Sequence, residues 1–203
     1  MSRTPPFLAD PADTREEIMG AVYRALCTHG YANLTIQLIA DEFAKSKSLL
    51  YHHYDGKDDL LLDFLEFMLE RFEERIPFPE GEDVAAHLDT FVDRMLVTPM
   101  PEDYREFSQA MVELRAQAAH DDEYRDYFTR SDRLFRRQIA RILRAGIDRG
   151  AVRDVDPDRT AATIHALIIG AMTQRVTTDD ETTADVRAEL DRYLRECVYR
   201  DAE

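Results

Sequence analysis

Apolar residues recur every three or four positions along nearly the whole chain, the interval of helices with one buried face. Ile18, Val22, Ala25 and Leu26 outline a first helix. It is expected to start at Thr14, whose hydroxyl can cap while Glu17 reaches back, and to stop at Gly30. Thr35 is placed to cap a short second helix carrying Ile36, Ile39, Ala40 and Phe43, and Ser46 a third carrying Leu49, Leu50 and Tyr54. After the Asp55-Gly56 turn, a fourth opens with Lys57, Asp58 and Asp59. It buries Leu60, Leu61, Phe64, Leu65, Met68 and Phe72 before Pro77 and Pro79 end it.

Val84, Leu88, Phe91, Val92 and Met95 predict a fifth helix, and Tyr104, Phe107, Met111, Leu114 and Ala118 a sixth. The seventh runs from Asp122 to Asp148 and ends at Gly150, with Tyr124, Phe128, Phe135, Ile142 and Leu143 inward. Asp156 is placed to cap an eighth, with Pro157 in its first turn and Ala161, Ile164, Ile168 and Met172 inside. A ninth aligns Val186, Leu190, Tyr193, Leu194 and Cys197. No segment shows the alternation of a strand, so the pattern predicts an all-α fold of nine helices and no sheet.

Length and charge sharpen this picture. At 203 residues the chain suits either one elaborate domain or a small head on a larger body. No stretch approaches the ~20 apolar residues that span a bilayer, and the start lacks a signal peptide's apolar region, so a cytoplasmic protein is expected. Cys27 and Cys197 are far apart, without metal-type spacing, and read as two reduced, partly buried thiols. The formal net charge of −15 opposes nucleic-acid binding on its face. Its distribution reverses that inference: all three lysines, Lys45, Lys47 and Lys57, lie close together, and no acidic residue falls between Phe43 and Tyr54. The surplus of 41 acids over 26 bases resembles proteins of salt-accumulating, halophilic microbes, where self-repulsion is screened, and an ordinary acidic protein with few lysines fits the same numbers.

Two short helices separated by three residues, the second opening on small polar and basic side chains, meet the requirements of a DNA-binding helix-turn-helix. Ser46, Lys47, Ser48 and His52 can point outward as donors, while Leu50 and Tyr54 pack backward. Thr35 and Lys57 stand at helix starts, where free N–H groups favour phosphate. A three-helix subdomain with a solvated lysine pair satisfies the same pattern.

Ile39-Ala40, then Ser46-Lys47-Ser48-Leu49-Leu50-Tyr51-His52-His53-Tyr54 and Lys57-Asp58-Asp59-Leu60-Leu61, resemble the tetracycline-repressor (TetR) family of regulators. The likeness runs from Thr14 to about Leu62, and beyond it only the number and order of helices agree. Ala44, Lys45 and Ser48 depart from the usual glycine, apolar residue and glycine of that family. The resemblance implies phosphate contacts by Thr35, Ser46, Tyr51, His52 and Lys57, with Lys47, Ser48 and Leu49 nearest the base edges. It implies a DNA-binding domain over residues 10–57 and an effector-binding and dimerisation domain over 58–203. The expected partners are a palindromic double-stranded operator, a second copy through the last two helices, and a small-molecule effector. Ala161, Ala166 and Gly170 on the eighth helix permit a close approach.

Other chemistry finds little support. His52-His53 beside Asp55, and His120 beside Asp121-Asp122-Glu123, suggest a metal only until helical geometry is applied, because adjacent residues diverge by about 100°. Hydrolase elbows, zincin helices and glycine-rich phosphate loops are missing, so neither an enzyme nor a cofactor is expected. Arg130, Arg133, Arg137, Arg141 and Arg144 form a stripe that invites ion pairing with Asp63, Glu66, Glu70 and Glu73 on the fourth helix. Phe91, Met95, Tyr104, Phe107, Met111, Phe128, Phe135 and His165 are candidates to line an effector site, although such stripes also build ordinary cores. A helical ligand-binding or scaffold protein without DNA binding is the alternative reading, and a helical-bundle enzyme a third.

Overall fold

The computed structural model describes residues 8, 10–43, 45, 47–75, 84–97, 100 and 102–200. Among them the chain forms nine α-helices: α1 (Thr14–Asn33), α2 (Ile36–Asp41), α3 (Lys47–His53), α4 (Lys57–Arg75), α5 (Val84–Met95), α6 (Glu102–Gln117), α7 (Asp122–Asp148), α8 (Pro157–Thr177) and α9 (Thr183–Tyr193). The all-helical expectation holds, and the one β-type contact among described residues is an isolated antiparallel bridge between Val152 and Tyr199. Ser46, Ala44, Pro77 and Pro79 lie outside the described residues. The chain divides into two compact units, Met1–Ile76 with Pro101–Phe128, and Pro77–Met100 with Thr129–Glu203.

The first unit is built around α1. Ile18, Met19, Val22, Ala25 and Leu26 join Ile39, Leu50, Leu60, Leu61, Phe64 and Leu114 in one buried cluster. Each such large side chain contributes about 1.5–3 kcal/mol by leaving water. The cap of α1 is displaced by one residue from the expected Thr14–Glu17 pair. The Asp13 side chain accepts from Glu16 N at 2.9 Å, and Glu16 accepts from Ala12 N at 2.8 Å. Asp is a strong cap, and the shift leaves Glu17 to bond Lys45 at 2.8 Å.

Gly30 ends the regular part of α1 as expected, at φ +64°, and one further turn follows to Asn33. A carboxylate from α6 fills the break: Tyr31 N donates to Glu113 Oε2 at 2.6 Å. Phe107 adds its ring to Tyr23 at 5.1 Å, while Tyr104, expected on the inner stripe of α6, has an exposed ring. A tyrosine in a helix's first turn can keep its polar tip in water at little cost.

In the second unit Leu88, Phe91, Val92, Ile139, Leu143, Ile164, Ile168 and Leu190 are buried. Asp156 caps α8 as expected, accepting from Asp158 N and Arg159 N. Ala161 and Leu190 are buried within the chain itself, and Ala166, Leu167 and Gly170 are exposed on α8. The stripe of α9 departs from expectation. A π-helical turn at Leu194–Val198 inserts an extra residue, so Leu194 and Val198 are buried while Cys197 turns outward. Asp63 and Glu70 take Arg15, at 2.7 and 3.0 Å, and Arg144 takes Asp158 at 2.6 Å.

Gly30 and Gly150 (φ +77°) both occupy the left-handed region, but only at Gly30 would a Cβ crowd an anchored atom, Glu113 Oε2 at 3.1 Å. Gly150→Ala is expected to cost roughly 1–2 kcal/mol in urea melts and Gly30→Ala measurably more. Equal costs would mean that Glu113 yields freely.

Candidate nucleic-acid interface

Helices α2 and α3 are too short to be stable alone and are held by the few apolar residues they bury. Thr35 caps α2 by accepting from Leu38 N at 3.2 Å, and Ile39 and Ala40 seal it to the core. In α3 only Leu50 is fully buried, with Leu49 packed at the core's margin. Lys47, Ser48, Tyr51, His52 and His53 therefore face solvent, and Tyr51 is 51% exposed. An aromatic side chain left in water on a seven-residue helix forgoes burial that the fold elsewhere exploits.

The lysine-rich window is locally neutralised by helices that precede it. Lys45 donates to Thr14 Oγ1 at 3.1 Å as well as to Glu17. Lys47 pairs with Asp41 at the end of α2, and Gln37 Nε2 donates to the same carboxylate at 3.0 Å. Tyr51 in turn donates to Gln37 Oε1 at 3.1 Å. Lys57 is half-buried: its ammonium donates to Tyr31 O at 3.2 Å and sits 4.2 Å from the centre of the Tyr31 ring. Gln37 and Asp41 did not stand out from the sequence, and Glu17 only as a helix-cap partner, although the four-residue spacing of Gln37 and Asp41 is one at which helical side chains meet.

Tyr31 is the hub beneath this surface. Its hydroxyl and that of Tyr124 both donate to Asp58 Oδ1, at 3.1 and 3.0 Å, and the two rings meet edge to face at 6.4 Å. Desolvation, reinforced by Asp58, pushes the Tyr31 hydroxyl up to about 12 and raises that of Tyr124 as well. Tyr54 donates to Asp63 at 2.6 Å, closing α3 onto α4.

The aromatic candidates for an effector site fall into both units. In the first, Phe107 and Met111 pack at the margin of the core, and Phe128 is buried with Arg115 over its ring at 4.9 Å. In the second, Phe135 lies edge to face with Phe91 at 6.3 Å and stacks on the buried His165 at 6.0 Å. His165 Nε2 stands 3.7 Å from Asp132, and Met95 is half-buried on α5. Among the described residues no cluster of three or more His, Cys, Asp or Glu suits a metal ion, and no helix is long and apolar enough to cross a membrane.

Residues 18–64 match the family of bacterial regulatory proteins described as tetR. Residues 81–198 match the BetI-type transcriptional repressor, C-terminal, family. A solved TetR transcription regulator from Haloarcula marismortui is 38% identical with a TM-score of 0.83, covering 93% of this chain and 100% of that one. A proposed transcriptional regulator from Saccharomonospora viridis, solved in complex with choline, shares the fold at 23% identity and TM-score 0.79, covering 94% of this chain and 100% of that one. The transcriptional repressor AcnR of Corynebacterium glutamicum is 21% identical over 178 residues, 85% of this chain and 86% of its own length.

Because the folded Tyr31 holds its proton more tightly than an unfolded tyrosine, its contribution to stability is complete below about pH 10 and is lost as pH rises toward 12. Tyr31→Phe is expected to give a shallower alkaline loss of stability in urea melts, by up to one proton. An unchanged slope would show that the hydroxyl is not protected.

Proposed function

The chain belongs to the tetracycline-repressor family of transcriptional regulators, and on that premise we propose that it is a homodimeric, ligand-responsive repressor whose paired α3 helices read a palindromic operator. The observation that carries this reading is the outward face of α3, where Lys47, Ser48, Tyr51 and His52 are exposed above a single buried leucine. Lys47, Ser48 and Leu49 are assigned to the base edges. Thr35, Ser46, Tyr51, His52 and Lys57 are assigned to phosphates, with residues 10–57 as the DNA-binding domain. The second copy is assigned to α8 and α9. Leu167, at the middle of α8, is 39% exposed between Ala166 and Gly170, a face that lets two backbones approach about a two-fold axis.

Gel-shift titration of the gene's own upstream DNA, with sedimentation of the same samples, tests these assignments together. Lys47→Ala and Tyr51→Phe are expected to weaken specific binding several-fold or more without moving the melting temperature, each removing one donor to DNA. Leu167→Arg is expected to yield monomers that bind only weakly. Specific binding by the native chain is expected to survive molar KCl, since salt screens the −15 charge while it weakens each lysine contact. Full affinity in both α3 variants would remove α3 from the interface, and a monomeric native protein would remove the two-fold reading.

For the effector, the proposal centres on Phe91, Met95, Phe135 and His165 in the second unit. A cluster of aromatic rings whose His165 member stands beside the Asp132 carboxylate has the chemistry that suits a small organic cation. The choline complex of the S. viridis regulator gives that chemistry a precedent on this fold. Choline chloride is expected to raise the melting temperature above that in equal KCl, and Asp132→Asn to abolish the difference. Identical melts in the two salts would discard the organic-cation class.

A further inference from the structure

The face assigned to DNA holds one group that phosphate recognition does not use. Asp41, the last residue of α2, is exposed, and its carboxylate takes both Lys47 and Gln37. Those two donors also hold the carboxyl below the usual carboxylate range, so it keeps its charge near neutral pH. Gln37 extends the network to Tyr51. Four side chains from two helices are thereby linked, and Lys47 and Tyr51 are the two already assigned to DNA. For Lys47 to reach DNA it must leave Asp41 or bring the carboxylate along, and in both cases a fixed negative charge lies within a side chain's reach of the groove.

A carboxylate only accepts hydrogen bonds. Phosphate, the O6 and N7 edge of guanine and the O4 of thymine all repel it, whereas the N4 amino group of cytosine and the N6 amino group of adenine satisfy it. A G·C pair presents the cytosine amino donor beside the guanine O6 and N7 acceptors. Those are the counterparts of the two charged groups that face one another in the free protein.

We propose that Asp41 is a specificity-determining residue, and that the Lys47–Asp41 pair opens onto a G·C base pair in each half-site. Cytosine N4 takes the place of the lysine at Asp41, and guanine O6 and N7 take the place of the carboxylate at Lys47. No proton moves, and one protein ion pair is exchanged for three charge-assisted hydrogen bonds to DNA. At an A·T pair the amino donor lies between the adenine N7 and thymine O4 acceptors instead of beside two adjacent acceptors, so the arrangement that suits Lys47 sets the carboxylate against thymine O4, a penalty against the wrong sequence as well as a gain from the right one. The same charge lowers affinity for arbitrary DNA, which widens the gap between operator and bulk sequence.

The inference rests on α3 as the reading helix, and the experiment separates the two. Full-length dimeric protein, native and in the variants Asp41→Asn, Asp41→Glu and Lys47→Ala, is used to select duplexes from a random-sequence library. Each protein is then titrated against the native consensus and against a short duplex of arbitrary sequence. The native protein is expected to fix a G·C pair in each half-site. Asp41→Asn should relax that position, lowering discrimination there about ten-fold, and should bind the arbitrary duplex more tightly. Asp41→Glu, which restores the carboxylate, should restore the preference. An unchanged consensus in Asp41→Asn, with Lys47→Ala weakened as expected, would overturn the role of Asp41 alone. Undiminished affinity in Lys47→Ala would overturn the reading helix and this inference with it.

Discussion

The first unit depends on how the peptide of Tyr31 is gripped. The left-handed turn at Gly30 withdraws the Tyr31 N–H from the helical ladder, and Glu113 on α6 accepts it; the carbonyl of the same residue accepts from Lys57, and its hydroxyl donates to Asp58. One residue thus joins the end of α1, the start of α4 and the C-terminal half of α6, with Tyr124 bringing in the start of α7 through the shared carboxylate. A buried N–H without a partner costs about 1–3 kcal/mol, so the broken turn requires an acceptor from outside its own helix. Helix α6, which falls in the C-terminal family match, is for this reason bound to a helix of the N-terminal one.

That grip places constraints on the short helices above it. Neither α2 nor α3 buries enough to fix its own orientation, and each is oriented by what it is tied to: Ile39 and Ala40 to the core, Leu50 to the core, Tyr54 to Asp63. The polar face is then free of packing duties. Its side chains meet each other instead, at exposures near half, where an ion pair in water is worth little and is readily exchanged. A weak internal network on a firmly seated helix is suited to a surface that must trade partners.

Much of this was legible in the sequence because the relevant forces are local. Helical spacing located the nine helices, and Thr35, Asp156, Gly30 and Gly150 punctuated them as cap chemistry requires. The α1 cap was misplaced by one residue because Asp13 and Thr14 are both good caps, and the choice falls to Glu16, which also pairs with Arg71. The outward turn of Cys197 was hidden because a π-helical turn leaves no mark in an apolar repeat. The partners of Glu113, Asp58 and Arg15 were illegible for a different reason. Each contact joins residues separated by 48 positions or more in all but one case, and long-range pairing carries no periodic signature. The lysine window looked uncompensated along the chain, although Glu17 and Asp41 compensate it in space.

The confinement of every lysine to residues 45–57 has a covalent side. Elsewhere the cations are arginines, whose guanidinium groups stay protonated and are poor nucleophiles under ordinary conditions. Among side chains, acylation of amines, whether by an acetyltransferase or by a reactive ester, can therefore address only the head. There it would erase a positive charge at the partner of Glu17, of Asp41 or of Tyr31 while leaving the electrostatics of the second unit untouched.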